Sequence, residues 1–290
     1  MELSVIIVSY NVSNFLRQCL LSVKKASENI DCEIIIVDNN STDDSCAMVE
    51  NEFPEIILTK NNINTGFSKA NNQAIKLAKG RFILLLNPDT IVDEATFDKC
   101  IRFMNLNPDA GALGVRMING EGSFLPESKR SFPTASTAFF KTFGLSFLFP
   151  GSKVLNRYYL PHIDSFKTSL TEVISGAFMF IRQEVLNKAG LLDEDFFMYG
   201  EDIDLSYRLL QTGYNNYYFP DTQITHFKGK STRRVGFTDI LHFYKAMRIY
   251  VKKRKKGRKF NFLHIFIIPA IYFREALAIL NRILRILINR

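Results

Sequence analysis

The chain begins with an apolar run, Leu3–Val8, that stops abruptly at polar residues, and this rhythm repeats over the first hundred positions. Between the runs lie stretches with helical spacing. Val12–Ala26 places Phe15, Cys19, Leu20 and Val23 on one helical face, which predicts a helix there. Glu33–Val37 reads as a second buried strand ending at Asp38, followed by a helix over Thr42–Asn51, a short strand over Glu55–Thr59 and a helix over Ser68–Ala78. Arg81–Leu86 is a further strand and Glu94–Leu106 a further helix. Strands this apolar have no wet face. Alternating with helices, they predict an α/β fold whose mostly parallel central sheet carries helices on both faces.

In such a sheet, ligands bind beyond the carboxyl ends of the strands. The residues there are Ser9-Tyr10-Asn11, Asp38-Asn39-Asn40-Ser41, Asn64-Thr65-Gly66-Phe67 and Asn87-Pro88-Asp89-Thr90. Each has an ordinary reading by itself. Ser41 could cap a helix with Asp44 at its third position, and Asn-Pro-Asp is common turn chemistry. Four such turns on one edge point instead to a small-molecule site. No glycine-rich dinucleotide fingerprint follows the first strand and no phosphate loop with Gly-Lys-Ser/Thr is present, which weighs against dehydrogenase and nucleotide-triphosphatase readings.

After about residue 110 the alternation stops. Phe124–Asp164 is rich in Phe, Ser, Pro and Gly and reads as a loop-rich insert, expected to shape an acceptor site. Thr171–Arg182 recovers a strand pattern with Ser175-Gly176 inside it, and a glycine within a strand often marks close approach of a ligand to the backbone. Asp193–Leu209, DEDFFMYGEDIDLSYRL, then sets Asp193, Glu194, Asp195, Glu201 and Asp202 on either side of Phe196-Phe197-Met198-Tyr199. Gly200 permits a turn and a helix is expected from Glu201. A carboxylate beside apolar rings on a rigid turn suits a general base, whereas acids in a first helical turn also simply complement the helix dipole. Within a helix, Asp202 and Asp204 would point about 200° apart, so only one can face a cleft. Strand signals return at Asn216–Phe219 and Ile224–Phe227.

Composition is that of a globular protein, and the net charge of +8 is concentrated: Lys252–Lys259, KKRKKGRK, holds seven basic residues of eight. The remainder is close to neutral and the basic run lacks interleaved aromatics, which disfavours nucleic acid. Cys19, Cys32, Cys46 and Cys100 form no Cys-x-x-Cys pair, and free thiols suit a reducing cytoplasm. The N-terminal apolar run is too short for a signal peptide. Phe260–Phe273 falls short of the roughly 20 apolar residues a spanning helix needs. From Arg274 onward, Glu275, Arg282, Arg285 and Asn289 fall near one helical face and Leu277, Leu280, Leu284 and Leu287 near another. A polybasic stretch beside an amphipathic helix fits an anionic membrane interface; a core or homodimer helix with a solvated basic loop is the other reading.

Seven motifs occur in order: VSYN (Val8–Asn11), VDNNSTDDS (Val37–Ser45), NTGFSKANN (Asn64–Asn72), LLLNPDT (Leu84–Thr90), SGAFMFIR (Ser175–Arg182), FFMYGEDIDLSYR (Phe196–Arg208) and THFKGKST (Thr225–Thr232). With them the chain resembles the family 2 glycosyltransferases, and within these the rhamnosyltransferase-like group of bacterial surface polysaccharide biosynthesis. The resemblance implies a glycosyltransferase A (nucleotide-diphospho-sugar transferase) fold over residues 1–232, nucleotide-binding in 1–110 and acceptor-binding in 111–232. Residues 233–290 would add helical, polybasic, membrane-associating structure.

Carried over by motif, Tyr10 would lie against a pyrimidine and Asp38 would take its N3–H. Ser9, Asn40, Gly66, Lys69 and Asn87 would complete the nucleotide site, with Asn64 beside them. Asn87-Pro88-Asp89 stands where the family carries an Asp-x-Asp metal motif, leaving Asp89 and His226 as ligands for Mg²⁺ or Mn²⁺. Asp202 matches the catalytic base, with Gly176 and Glu201 toward the acceptor. The resemblance implies inverting, metal-dependent transfer, with dTDP-L-rhamnose the leading donor, to a glycan or polyprenyl-diphosphate-linked acceptor at the cytoplasmic face of the cell membrane. A UDP-sugar donor (galactofuranose, glucose or N-acetylglucosamine) and a catalytically silent sugar-nucleotide-binding protein stand as alternatives.

Overall fold

Strand β1 (Leu3–Ser9) is buried along its whole length, which is why it can sit at the centre of a sheet. In the computed structural model, which describes residues 1–133, 157–227, 236–255 and 263–288, β1 pairs in parallel with β2 (Cys32–Asp38) and β4 (Phe82–Leu86). β3 (Ile57–Lys60) extends the parallel set beyond β2. Helices α1 (Ser13–Ala26), α2 (Ser45–Glu52) and α4 (Thr96–Leu106) cover one face, and α3 (Phe67–Ile75) lies on the other. Two apolar cores result, one on each side of the sheet. The expected helices on both faces are present.

Beyond β4 the sheet becomes mixed. The full order is β3-β2-β1-β4-β8-β6-β9-β5, with β7 (Ser169–Leu170) joining β9. β8 (Phe178–Arg182) is antiparallel to β4, with Phe178 opposite Leu86 and Arg182 opposite Phe82. It therefore starts where β4 ends, and the residues just before it are delivered to the carboxyl edge. β6 (Ala110–Ile118) pairs in parallel with β9 (Asn215–His226), whose far end runs antiparallel to β5 (Thr90–Val92). Helices α5 (Gln183–Ala189) and α6 (Glu201–Gln211) pack on the α3 face.

Several expectations shift. Gly176 lies in the turn before β8, not within a strand, because regular pairing begins only at Phe178. β5 and β6 carry no prior strand assignment: β5 is three residues long, and glycines at 111 and 114 break the pattern of β6. Helix α2 begins at Ser45 rather than Thr42, and Ser41 caps nothing. The backbone N–H of Ser41 is taken by Asp38 (2.8 Å) and that of Thr42 by Asn11 (2.7 Å), so side chains hold this stretch as a turn ahead of the helix.

Helix α7 (Phe237–Lys255) lies along the loop at 193–200. His242 stacks on Phe197 (4.3 Å, 12°), Phe243 meets Tyr199 edge-on, and Lys253 pairs with Asp193 and, at 2.7 Å, Asp195. Part of the basic run is thus neutralised within the fold. Helix α8 (Leu263–Ile288) packs on α7 through an Arg248–Glu275 ion pair, and Arg248 lies 4.5 Å from the Tyr272 ring. Glu275 accordingly faces α7 and is buried, not part of a solvated polar face. Tyr272, Phe273, Leu280, Leu284 and Leu287 stay exposed. The basic residues at 256–259 and the motif end at 228–232 lie outside the described residues, as does 134–156 of the insert. Among the described residues no helix is long and apolar enough to cross a membrane.

Candidate active site

On one side of the cleft the ends of β1, β2 and α3 are laced together by short-range hydrogen bonds. Asp38, 3% exposed, accepts the Ser41 N–H (2.8 Å) on Oδ2 and the Ser41 hydroxyl (2.6 Å) on Oδ1. The Ser41 hydroxyl oxygen in turn accepts the Asn11 N–H at 2.8 Å. Asn11 and Asn40 sit at φ 55° and 68°, a left-handed conformation that asparagine tolerates better than most residues. Asn39 donates to the Gly66 carbonyl (3.1 Å) and accepts from Asn61 (3.0 Å) and the Thr65 hydroxyl (3.1 Å). Tyr10 leaves 46% of its surface open at the same edge, and the Ser9 hydroxyl is buried without a hydrogen-bond partner among the described residues. Asn40 and Lys69 are exposed, and Asn64 accepts the Gly66 N–H at 3.0 Å.

Gly66 joins this side to the other. At φ 85° its bare α-carbon lies so close to Phe197 that a Cβ would come within 2.7 Å of both its ring and its carbonyl oxygen. The Phe67 N–H donates to that carbonyl at 2.7 Å. The loop between residues 193 and 200 is therefore seated directly on the N-terminus of α3.

At the floor, Asp89 and His226 come together across the β5–β9 pairing, where Thr90 is opposite His226 and the Phe227 N–H donates to the Asp89 carbonyl (2.9 Å). His226 Nε2 is 3.3 Å from Asp89 Oδ1, both side chains are buried, and His226 Nδ1 has no hydrogen-bond partner among the described residues. No group of three or more metal-binding side chains occurs among the described residues. Two protein ligands with a diphosphate supplying the rest is ordinary for a hard dication, so the pair fits Mg²⁺ or Mn²⁺ shared with a nucleotide. Asn87 is half-buried; its N–H donates to the Ala177 carbonyl (3.1 Å) and its own carbonyl accepts the Thr90 hydroxyl (2.7 Å).

Asp202 occupies the first turn of α6, after Tyr199 and Gly200 at φ 70° and 86° turn the chain. Its Oδ2 accepts from Arg130 Nη2 at 2.5 Å and from the Gly176 N–H at 3.4 Å; Oδ1 accepts the Ile203 N–H at 2.8 Å. A Cβ at Gly176 would sit 3.5 Å from Asp202 Cβ and 3.9 Å from the Phe67 ring, ordinary contact distances, so this turn lies against both Asp202 and α3. Neighbouring Glu201 is buried with Oε2 unpartnered among the described residues. Burial, then the charge of Asp202, pushes its carboxyl up to about 8 against the opposing pull of Arg130, leaving it protonated at neutral pH.

Asp204 turns away, as the helical phase requires. It holds Arg208 Nε at 2.8 Å, and Arg208 Nη1 donates to the carbonyls of Ala189 and Gly190. Arg130 and Tyr158 are absent from the residues expected at the site. They come from the two flanks of the insert, with Arg130 Nη1 donating to the Tyr158 hydroxyl at 3.3 Å, and no local spacing links position 130 to position 202.

A model of the glycosyl transferase family 2 matches residues 4–190. Over 266 residues the chain is 26% identical to the N-acetylglucosaminyl-diphospho-decaprenol L-rhamnosyltransferase of Mycobacterium tuberculosis, covering 88% of this chain and 85% of that protein. It is also 26% identical over 194 residues to the rhamnosyltransferase WbbL of Escherichia coli K12, covering 64% and 67%. Among solved structures, the mannosyltransferase PcManGT from Pyrobaculum calidifontis, in complex with GDP-Man and Mn²⁺, superposes with a TM-score of 0.62 at 16% identity, over 96% of this chain and 74% of that one.

Proposed function

The chain belongs to glycosyl transferase family 2, and from that premise we propose that it transfers L-rhamnose from dTDP-L-rhamnose, with inversion, to a glycan or polyprenyl-diphosphate-linked acceptor in surface polysaccharide assembly. The observation that carries the reading is the convergence at Ser175–Ala177. Ala177 accepts from Asn87 beside the Asp89–His226 pair, Gly176 abuts Asp202, and the Phe67 ring closes the gap toward the nucleotide side. Three separately encoded parts thus meet at the carboxyl edge of the sheet, where this architecture binds ligands.

In this reading Asp38 accepts the pyrimidine N3–H and the open face of Tyr10 stacks on the base. Ser9, Asn40, Gly66, Lys69 and Asn87 line the remaining nucleotide surface. The acceptor hydroxyl attacks the anomeric carbon from the side opposite the leaving group. Its proton passes to Asp202 as the new carbon–oxygen bond forms and the bond to the diphosphate breaks. Gly176 and the neutral Glu201 border the acceptor. A divalent cation held by Asp89 and His226 would offset the charge gathering on the departing diphosphate. The rhamnosyltransferase relatives support the donor sugar, and the exposed row Tyr272, Phe273, Leu280, Leu284 and Leu287, in a chain that carries the basic run 252–259 in its sequence, supports a peripheral seat on an anionic membrane at its cytoplasmic face.

The test is thermal unfolding of the full chain with Mn²⁺ or Mg²⁺ and dTDP, UDP, GDP or CDP, followed by product analysis with dTDP-L-rhamnose. Ligand at about 100 times its dissociation constant adds roughly 2.7 kcal/mol. Stabilisation by dTDP that depends on the metal, and turnover of the rhamnose donor, are expected. Stabilisation by UDP alone reassigns the donor, and binding without turnover of any donor overturns the enzymatic reading of the site. For the membrane, full-length chain is expected to pellet with anionic vesicles and a 252–290 deletion to stay in solution; a full-length chain that never pellets rejects it.

A further inference from the structure

Oδ2 of Asp202 is committed to a buried arginine from a segment more than seventy residues away in sequence, at 2.5 Å, with both side chains largely sequestered (11% and 14% exposed). A buried guanidinium needs partners for its donors. Arg130 reaches Asp202 Oδ2 and the Ile174 carbonyl (3.4 Å) through Nη2, and the Tyr158 hydroxyl (3.3 Å) through Nη1; Nε alone is without a partner among the described residues. Its backbone is pinned as well. Val173 donates to the Arg130 carbonyl at 3.0 Å, and the Thr171 hydroxyl sits 3.1 Å from the same oxygen. The two flanks of the insert are zipped behind it, by Ser131 N–H to the Tyr158 carbonyl (2.8 Å) and by Lys129 Nζ to the Leu160 carbonyl (2.7 Å). Nothing in this arrangement resembles a loosely held surface pair.

We propose that Arg130 is the positioning residue of the active site: its guanidinium fixes the Asp202 carboxylate so that Oδ1 keeps a lone pair for the acceptor hydroxyl. The proposal rests on the reading of Asp202 as the base. With Oδ2 taken by Arg130 and the Gly176 N–H, and one lone pair of Oδ1 by the Ile203 N–H, a single acceptor position is left on the carboxylate. Among the described residues, the groups facing Asp202 are Arg130 and Tyr158 from the insert, the Gly176 N–H from the turn before β8, and Glu201 on its own helix. Of these groups, Arg130 is the cation. Without it, the carboxyls of Asp202 and Glu201 would be adjacent acids with no counter-charge, and acids so placed hold on to protons. The insert flanks therefore supply the counter-charge of Asp202 as well as its orientation.

The experiment compares wild type, Arg130→Lys, Arg130→Met and Asp202→Asn in the full-length chain, with two readouts. The first is the pH dependence of kcat with dTDP-L-rhamnose. The second is carboxyl carbon NMR of protein labelled with ¹³C-aspartate, where the Asp202 signal is identified by its loss in Asp202→Asn. In Arg130→Met the acid limb of the rate profile and the Asp202 titration should both move up by about 1–3 pH units, with the rate partly recovered at high pH. Arg130→Lys should fall between Met and wild type. A rate lost equally at every pH, with an unmoved Asp202 titration, overturns the proposal. Should Arg130→Met fail to fold, the Lys variant decides by the same two readouts. If Asp202→Asn keeps its turnover, the base reading fails, while the NMR titration still tells whether Arg130 controls the carboxylate.

Discussion

Asp38 takes two hydrogen bonds from Ser41, three residues downstream, whereas Asp202 takes its shortest from Arg130, 72 residues upstream. The two buried carboxylates lie on opposite sides of one cleft, and they are built by different means. The proposed nucleotide side is a set of tight turns whose asparagines and serines bond to one another within a few dozen residues. The proposed chemical side is assembled from three distant segments: the first turn of α6, the turn before β8 and the flanks of the insert. On that proposal the site holds its donor through local turns, while the position of Asp202 depends on Arg130. Donor affinity and turnover should therefore respond to different substitutions.

The largest effect is expected from Asp202→Asn. Loss of a general base lowers kcat by about 10²–10⁴-fold, and nucleotide affinity should be unchanged because Asp202 touches none of the turns around Asp38. An equal loss of both would erase the distinction between the two sides. Next comes Gly66→Ala, where the N-terminus of α3 meets the loop at 193–200. The new methyl would press within 2.7 Å of the Phe197 ring and carbonyl, at φ 85°, and such strain costs on the order of 1–3 kcal/mol. Urea unfolding should show that loss, together with reduced donor binding and turnover. A variant as stable as wild type would mean that the two sides are not in hard contact.

Glu201→Gln sharpens the comparison through pH. The folded chain holds the Glu201 proton up to about 8, against an ordinary value of 4.5. The native state therefore binds that proton more tightly than the unfolded chain does. The stabilisation is complete below about 4.5 and is lost as pH rises toward 8. Gln removes that dependence, so its melting temperature should match wild type near pH 4.5 and exceed it increasingly toward pH 8, by roughly 2–4 °C for each kcal/mol. A difference that does not change with pH would place the Glu201 charge in solvent. The smallest effect belongs to Ser41→Ala, which removes one hydroxyl from Asp38 at about 1 kcal/mol. Donor affinity should weaken a few-fold with kcat at saturation intact.

The same contrast explains what could be read from the chain itself. Strands β1, β2 and β4 and helices α1 and α4 announce themselves because each is a local pattern of buried residues. Asp38, Gly66, Asp89 and Asp202 could be named because they end strands or begin helices within recognisable motifs. Asp202 was singled out by its place in the motif, helical phase adding only that it and Asp204 cannot face the same way; Asp204 is tied to Arg208. Arg130 could not be found that way. Its partner is fixed by tertiary packing of a loop-rich insert, where periodicity is weak and neighbours in space are remote in sequence. Strand β6 was hidden by two glycines, and the start of α2 by side chains of Asp38 and Asn11 that compete for its first backbone donors. The docking of α7 on the loop at 193–200 was invisible for the same reason, since Lys253 reads as one more member of a basic run until Asp193 and Asp195 are seen beside it.

The most direct test is calorimetric titration of dTDP with Mn²⁺ into wild type, Asp38→Ala and Asp202→Asn, each checked for folding by circular dichroism, alongside turnover of dTDP-L-rhamnose by the same samples. A hydrogen bond to a charged group contributes about 1.5–3 kcal/mol, so Asp38→Ala should weaken binding about tenfold or more. Asp202→Asn should bind like wild type and turn over almost nothing. Undiminished binding by Asp38→Ala, or binding lost in Asp202→Asn, would contradict the division of this cleft into a nucleotide side and a chemical side.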